Sequence, residues 1–363
     1  MDLADPCFQS CVFTVVKTLI DYKAFDVIPT EGDISTTELA EKIGGTEEVV
    51  ERLTTFLVAA NILESTGADR IAHTKRSLLY RAEEPTAALY VHMFNNVFRS
   101  FAQLPEFFGK HGFASPKSAS VTPLGKANGF EDKPAYDIIV ANKVVHKGFN
   151  EGLRALGSMY SLKGVYDFGW MEEALAEGGS RPAIVDVGGS HGLALKDAVR
   201  NNSFIEPERC MIYDLPEVIE ATSKNAEKNG DEILQRVQMV GGSMFEPFAE
   251  KAQGALIFQF RRVFNDFPDD DVVRAFKNVR KAVRPDTRIL VIEEMASPKR
   301  MPLNVVLDIC LMMAAGKRRN AIRFSKLAEQ AGFILNAEFQ NVSSEFDDFS
   351  VLEFVVDTEK TAE

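Results

Sequence analysis

Cysteine is scarce in this chain, with four in 363 residues, Cys7, Cys11, Cys210 and Cys310. They are too few and too scattered for a disulfide framework, and no pair has the spacing of a zinc site. On a helix Cys7 and Cys11 share a face, where they read as small buried apolar residues. Long apolar runs are also lacking: nothing approaches the ~20 residues needed to span a bilayer. The opening Met-Asp-Leu-Ala-Asp-Pro has neither the basic nor the apolar region of a secretory leader. A reduced, cytoplasmic protein without a membrane partner is expected. Basic residues are outnumbered, 41 Lys and Arg against 53 Asp and Glu, for a formal net charge of -12. That balance argues against nucleic acid as the main partner, since backbone recognition needs a concentrated basic face. A local cluster such as Lys317, Arg318 and Arg319 could still meet an anionic ligand.

What is present is the composition of a folded protein, 45% hydrophobic and 26% charged, long enough for two domains. Up to about residue 175 the pattern is helical. Phe8, Cys11, Val12, Val15 and Leu19 recur at three- and four-residue intervals, as in an amphipathic helix. Ser35 or Thr36 then opens a helix as N-cap, and a second begins near Thr46 after Gly44-Gly45. Two short strand-like runs follow, 62–66 and 70–73. Two helices and a hairpin are the shape of a winged helix. Glu47, Glu48 and Glu51 on its second helix suit a phosphate-lined groove poorly, so a dimerisation and substrate-lid role fits better than DNA binding.

From about 181 strands alternate with helices. The runs 183–187, 211–214, 237–240, 255–260 and 288–293 read as buried parallel strands, implying a doubly wound α/β sheet with its ligand at the carboxyl ends. Gly188, Gly189 and Gly192 follow the first strand, where they permit tight turning and close backbone approach; Asp214 ends the second, where a carboxylate suits ribose hydroxyls. A dinucleotide is the usual guess for such a turn. Asp186 just before the glycines would face a pyrophosphate with like charge, and therefore favours a ligand with a cationic end, S-adenosylmethionine.

Four ordered motifs, Val185–Gly192, Tyr213–Val218, Gly242–Glu246 and Arg261–Asp266, resemble those of class I O-methyltransferases of the caffeic-acid type, in their fungal branch. The resemblance covers nearly the whole chain. It implies a winged-helix-like dimerisation domain over 1–110, a helical linker and substrate-pocket region over 111–180, and a Rossmann-like domain binding S-adenosylmethionine, or S-adenosylhomocysteine, over 181–363. It further implies a homodimer acting on a small-molecule natural-product intermediate. Asp186, Gly188, Gly189, Ser190 and Gly192 would line the methionine part of the cofactor, with Arg261 in the same set. Asp214 would hold the ribose, Leu215 the adenine face, and Met244 and Phe245 would flank the ring. Ser243 stands where the family has an aspartate that accepts from the adenine amine, so a weaker bond is implied there.

The catalytic positions depart further. Asn265 occupies the place of the family's histidine base, and an amide side chain cannot take a proton. Glu293 matches the first supporting glutamate, while Arg318 stands where the second belongs. Three readings follow. Methyl transfer persists because the acceptor, an acidic hydroxyl or a carboxylate, arrives ionised. Alternatively, the chain binds its ligand and catalyses nothing. Or the pocket serves a reaction without a methyl acceptor, as in methyltransferase-like pericyclases of the fungal family, which this sequence resembles. In that last reading, placed first, Asn265 donates to a developing oxyanion, Arg318 supplies positive charge, and Asp266 orients Asn265 or Arg261.

Met93, Phe94, Met159, Phe168, Trp170, Met312 and Met313 are candidate apolar pocket walls, each with an ordinary core reading as well. His92, in an otherwise apolar helix, is a candidate donor or acid; His146 is a further one. His73, His111 and His191 suggest no metal site.

Overall fold

Val12, Val16 and Leu19 fall on one stripe of helix Ala4–Asp21 and are buried there, beside Phe25, Leu39 and Leu57. Cys7 and Cys11 are not: both are exposed, against expectation. At about 100° per residue they sit roughly 100–140° around the helix from Val12, off its buried stripe. The computed structural model describes residues 4–130, 132–141, 161–176, 181–296, 302–340 and 349–359. The chain falls into two units, Met1–Glu106 with Tyr136–Ala155, and Phe107–Ala135 with Leu156–Glu363.

In the first unit Ser35 is the N-cap of helix Thr36–Ile43. Its hydroxyl accepts from the Glu38 backbone N–H, and Glu38 accepts from the Ser35 N–H, a reciprocal capping box. Helix Glu47–Ala59 follows. The strands are β1 (Asp33–Ser35), β2 (Leu63–Ser65) and β3 (Arg70–His73), in the order β1-β3-β2, all antiparallel. The hairpin is thus joined by a third strand that lay hidden in the approach to the first winged-helix element. Arg70 fastens it, its Nε 2.6 Å from Asp33 Oδ1.

The second unit carries β4 (Ile184–Val187), β5 (Cys210–Asp214), β6 (Gln238–Gly241), β7 (Ile257–Arg261), β8 (Arg288–Glu294), β9 (Phe333–Gln340) and β10 (Phe349–Val356). Their order is β6-β5-β4-β7-β8-β10-β9. The first five run parallel, whereas β10 is antiparallel to both β8 and β9. Apolar clusters bury both faces, one around Phe258, Phe260, Phe264 and Phe276, the other around Ile184, Leu195, Ile212 and Ile292. From β4 the chain first moves outward to β5 and β6, then crosses to β7 on the other side. That reversal opens a crevice at the carboxyl ends of β4, β5 and β7, where the expected ligand residues stand.

Candidate functional site

The turn after β4 is shaped by what its glycines leave out. Gly188 and Gly192 have φ of 69° and 66°, a region L side chains avoid. Gly189 answers to a different constraint: a Cβ there would lie 2.8 Å from Asp186 Oδ2 and 3.0 Å from the Asp186 carbonyl oxygen. The missing side chain lets the Asp186 carboxylate fold beneath the turn. Asp186 Oδ1 accepts from Gln259 Nε2 at 3.0 Å, while Oδ2 is buried with no donor from the described residues. Burial pushes its carboxyl up to about 6, opposed by the Gln259 bond and the charge of Arg261.

Asp214 closes the other side. Its Oδ2 accepts from Ser190 N at 2.8 Å and its Oδ1 from Leu215 N at 2.7 Å, so the carboxylate ties the glycine turn to the end of β5. Burial raises its pKa despite these two bonds. Ser243 Oγ accepts from Phe245 N at 3.2 Å, which spends part of its acceptor capacity within its own turn. Phe245 meets Phe267 edge-on at 5.2 Å, with the Arg274 guanidinium 4.2 Å from its ring centre. Asn278 Nδ2 holds the Met244 carbonyl at 3.2 Å. A buried carboxylate oxygen without a donor, a turn open to close approach and a carboxylate at the next strand end together fit a nucleoside with a cationic amino-acid tail.

The segment after β7 is built around two adjacent glutamates. Glu293 Oε1 accepts from the backbone N–H of Val263 at 2.8 Å and of Asn265 at 3.2 Å. It is buried, and burial, with repulsion from Asp266, pushes its carboxyl up to about 8. Asn265 donates through Nδ2 to the Glu294 carbonyl at 2.9 Å, so Glu294 orients the amide where Asp266 was expected to. Arg318 Nη2 lies 2.6 Å from Glu294 Oε2, and Arg262 Nε 3.6 Å from Glu294 Oε1. The free positive charge expected of Arg318 is therefore met by a carboxylate.

Its neighbours in the basic cluster are likewise bound internally rather than offered to an anionic ligand. Arg319 is fully buried, bonded to Asp269 Oδ1 at 2.8 Å and to the carbonyls of Phe264 at 2.8 Å and Phe267 at 2.7 Å. Lys317 Nζ sits 2.6 Å from Asp269 Oδ2. Glu294 and Asp269 were not singled out from the sequence, although an acid beside Glu293 was a readable signal.

Over residues 126–334 the sequence matches the O-methyltransferase domain, and over 5–83 the O-methyltransferase dimerisation domain. The chain belongs to the O-methyltransferase family. That family's cofactor is S-adenosylmethionine, and the residues around Asp186 and Asp214 fit it.

Relatives of this family member include methyltransferase phm5 of Pyrenochaetopsis sp, 37% identical over 336 residues, covering 92% of this chain and 91% of the relative. Methyltransferase pynC of Aspergillus niger is 33% identical over 354 residues, with 96% and 95% covered. Among solved structures, OxaC superposes with a TM-score of 0.85 at 20% identity, covering 97% of this chain and 86% of that one. LepI in complex with SAM gives 0.80 at 19% identity, with 98% and 90% covered; a structure titled a pericyclic reaction enzyme gives 0.74 at 20%, with 96% and 87% covered. At such identities the likeness is one of fold.

The remaining candidates in this O-methyltransferase chain divide. Phe168 is a core residue and Trp170 packs partly buried against the same cluster: Phe168 packs on Tyr166 at 4.9 Å, and Trp170 donates to Tyr166 OH at 3.0 Å with the Arg288 guanidinium 3.9 Å from its ring. Arg288 begins β8, so Trp170 lies at the end of the sheet opposite Glu293 and Glu294. Met313 is buried, its carbonyl accepting from Leu124 N, while Met312 is half-buried at the end of helix Pro302–Met312. His92, Met93 and Phe94 belong to the first unit. His92 Nδ1 is 2.9 Å from Asn96 Nδ2, and burial pulls its pKa down to about 4, which makes it neutral rather than an acid. Met93 opens a π-helical turn, Met93–Phe98, in which Phe94 stacks on Phe98 at 5.6 Å. Met159 and His146 lie outside the described residues. Among the described residues no group of acids, histidines and cysteines is placed to hold a metal, and no helix is long and apolar enough to cross a membrane.

Proposed function

We propose that this chain is an S-adenosylmethionine-dependent methyltransferase of natural-product assembly, working as a homodimer on a small acceptor that arrives already ionised at an acidic hydroxyl or a carboxylate. The observation that carries this reading is the state of residue 265. An amide holds the base position, tethered to the Glu294 carbonyl, and the neighbouring Glu293 is engaged with two backbone amides. Neither is arranged to remove a proton from a neutral hydroxyl. The cofactor when bound supplies an electrophilic methyl group. Catalysis is then left to holding an anionic acceptor in line and to excluding water, effects that suffice for a nucleophile needing no activation. The relatives above 30% identity, named methyltransferases, support transfer over its loss.

A pericyclase or cyclase role, with the cofactor as a fixed cation, is the second reading. It draws on the same missing base and on the fold shared with LepI. Against it, the Arg318 charge is met by the Glu294 carboxylate and one N–H of the Asn265 amide goes to a backbone carbonyl, so part of the positive charge and donor capacity assigned to a developing oxyanion is spent within the protein.

The deciding experiment incubates the protein with methyl-labelled S-adenosylmethionine and candidate acidic acceptors, following label and product structure together. Label in the product is the expected result. Isomerised product without S-adenosylhomocysteine would establish the second reading instead, and neither change would leave a binding scaffold.

A further inference from the structure

Asn265 is 5% exposed, and its side chain is oriented without ambiguity. The Glu294 backbone carbonyl, 2.9 Å away, can only accept, so the NH2 end must face it; turning the amide over would set two oxygens against each other. Its main chain is equally fixed. Lys317 N donates to the Asn265 carbonyl at 2.8 Å, and a Cβ on Gly316 would come within 2.4 Å of that oxygen, so this contact closes only on a glycine. The consequence falls on Oδ1. It is shut off from solvent, and no donor among the described residues reaches it. Glu293 and Glu294, which hold the Asn265 backbone N–H and Nδ2, each have their partners, and Arg318 Nη2 is on Glu294, while Asn265 Oδ1 is an acceptor that no donor among the described residues answers.

We propose that Asn265 Oδ1 is a specificity-determining acceptor, which receives an N–H or O–H donor that the substrate carries beside its ionised group. The proposal rests on the methyl-transfer reading and adds to it the substrate's chemistry: anionic where the methyl is received, and a neutral donor next to it. An ionised acceptor atom has no proton to offer, so the donor must be a neighbouring group. A site holding a buried acceptor discriminates strongly against an analogue without the donor, because binding that analogue leaves the oxygen unpaired. Glu294 and Arg318 act here as positioning residues, the first through its carbonyl and the second by holding the Glu294 side chain.

The test is a binding comparison in the presence of S-adenosylhomocysteine, using matched probes. A hydroxypyridone and the corresponding hydroxypyrone share ring shape and an acidic hydroxyl but differ in one N–H. Ortho-hydroxybenzoate and ortho-methoxybenzoate share a carboxylate and differ in one O–H next to it. At least one donor-bearing member is expected to bind about tenfold or more tightly than its partner, and the pair that does so tells N–H from O–H. Asn265→Leu should bring that ratio close to one while S-adenosylhomocysteine affinity, the check on folding, is kept. Equal affinities within both pairs for the unaltered protein, or a ratio that survives Asn265→Leu, overturns the proposal. Because the readout is an affinity ratio, it stands apart from label transfer, whose absence would instead refute the methyl-transfer reading.

Discussion

The Arg318 guanidinium and the Glu294 carboxylate, 24 positions apart in sequence, meet at 2.6 Å with little of either side chain exposed. Breaking a pair of this kind from one side leaves a largely buried charge. Arg318→Met should destabilise the protein by about 3 kcal/mol, the lower end of the range for such pairs, since Arg262 remains near Glu294. Arg318→Met with Glu294→Met should recover most of that loss. Urea unfolding of the four proteins checks it, and strictly additive losses would refute the coupling.

Glu293 offers a pH signature. Its carboxyl, pushed up to about 8, keeps its proton in the folded chain over a range where the unfolded chain has released it. Between the unfolded value near 4.5 and about 8, unfolding releases a proton, so this group's contribution to stability falls as pH rises. Glu293→Gln can still accept from Val263 and Asn265 and should flatten that decline, with little loss near pH 7. An unchanged slope in thermal unfolding between about pH 5 and 8 would contradict the assignment.

Asp186 should make cofactor affinity depend on pH. Burial raises its pKa to about 6, and a cationic ligand binds the ionised form. Affinity for S-adenosylmethionine should therefore tighten as pH rises through about 6 and level off above it, while the ligand-free fold loses this group's stabilisation over the same rise. Calorimetric titration across that range tests the expectation. Asp186→Asn should bind more weakly and without the pH dependence.

Gly189→Ala tests the turn itself. Its new Cβ would crowd Asp186 Oδ2 at 2.8 Å, with the backbone oxygen at 3.0 Å leaving little room to give way. Affinity for the cofactor should fall at least about tenfold, whereas overpacking of this order costs roughly 1–3 kcal/mol of stability. Normal affinity in Gly189→Ala would show that the Asp186 carboxylate can leave its place under the turn freely.

Asn265→His should extend the range of acceptors. The Glu294 carbonyl that now receives Nδ2 can receive Nδ1–H of an imidazole, which leaves Nε2 as a base. Transfer to neutral hydroxyl acceptors should rise by about a hundredfold or more, the scale of general-base catalysis, with little gain on acceptors already ionised. Equal gains for both acceptor classes would argue that residue 265 does not govern proton removal.

The local order of the chain determined a good deal. Strand periodicity, the glycines after Val187 and the acid ending β5 pointed to a nucleoside site at the carboxyl ends of a doubly wound sheet, because these signals are short-range, the glycines answering to their own backbone or to Asp186 a few positions before. The missing base at Asn265 was equally plain, since it concerns the chemistry of a single side chain. Only the tertiary structure decided what surrounds it. Arg318 read as a free cation until Glu294 came beside it, and Arg319 as a surface charge until the chain carried it 50 positions back to Asp269. The antiparallel β9–β10 pair at the edge of a parallel sheet was not foreseen, and β10 pairs with β8 along the stretch that carries Glu293 and Glu294. Partners so distant in sequence are selected by burial, because a charge removed from water must find its counter-charge in three dimensions, and no spacing along the chain encodes which one it will be.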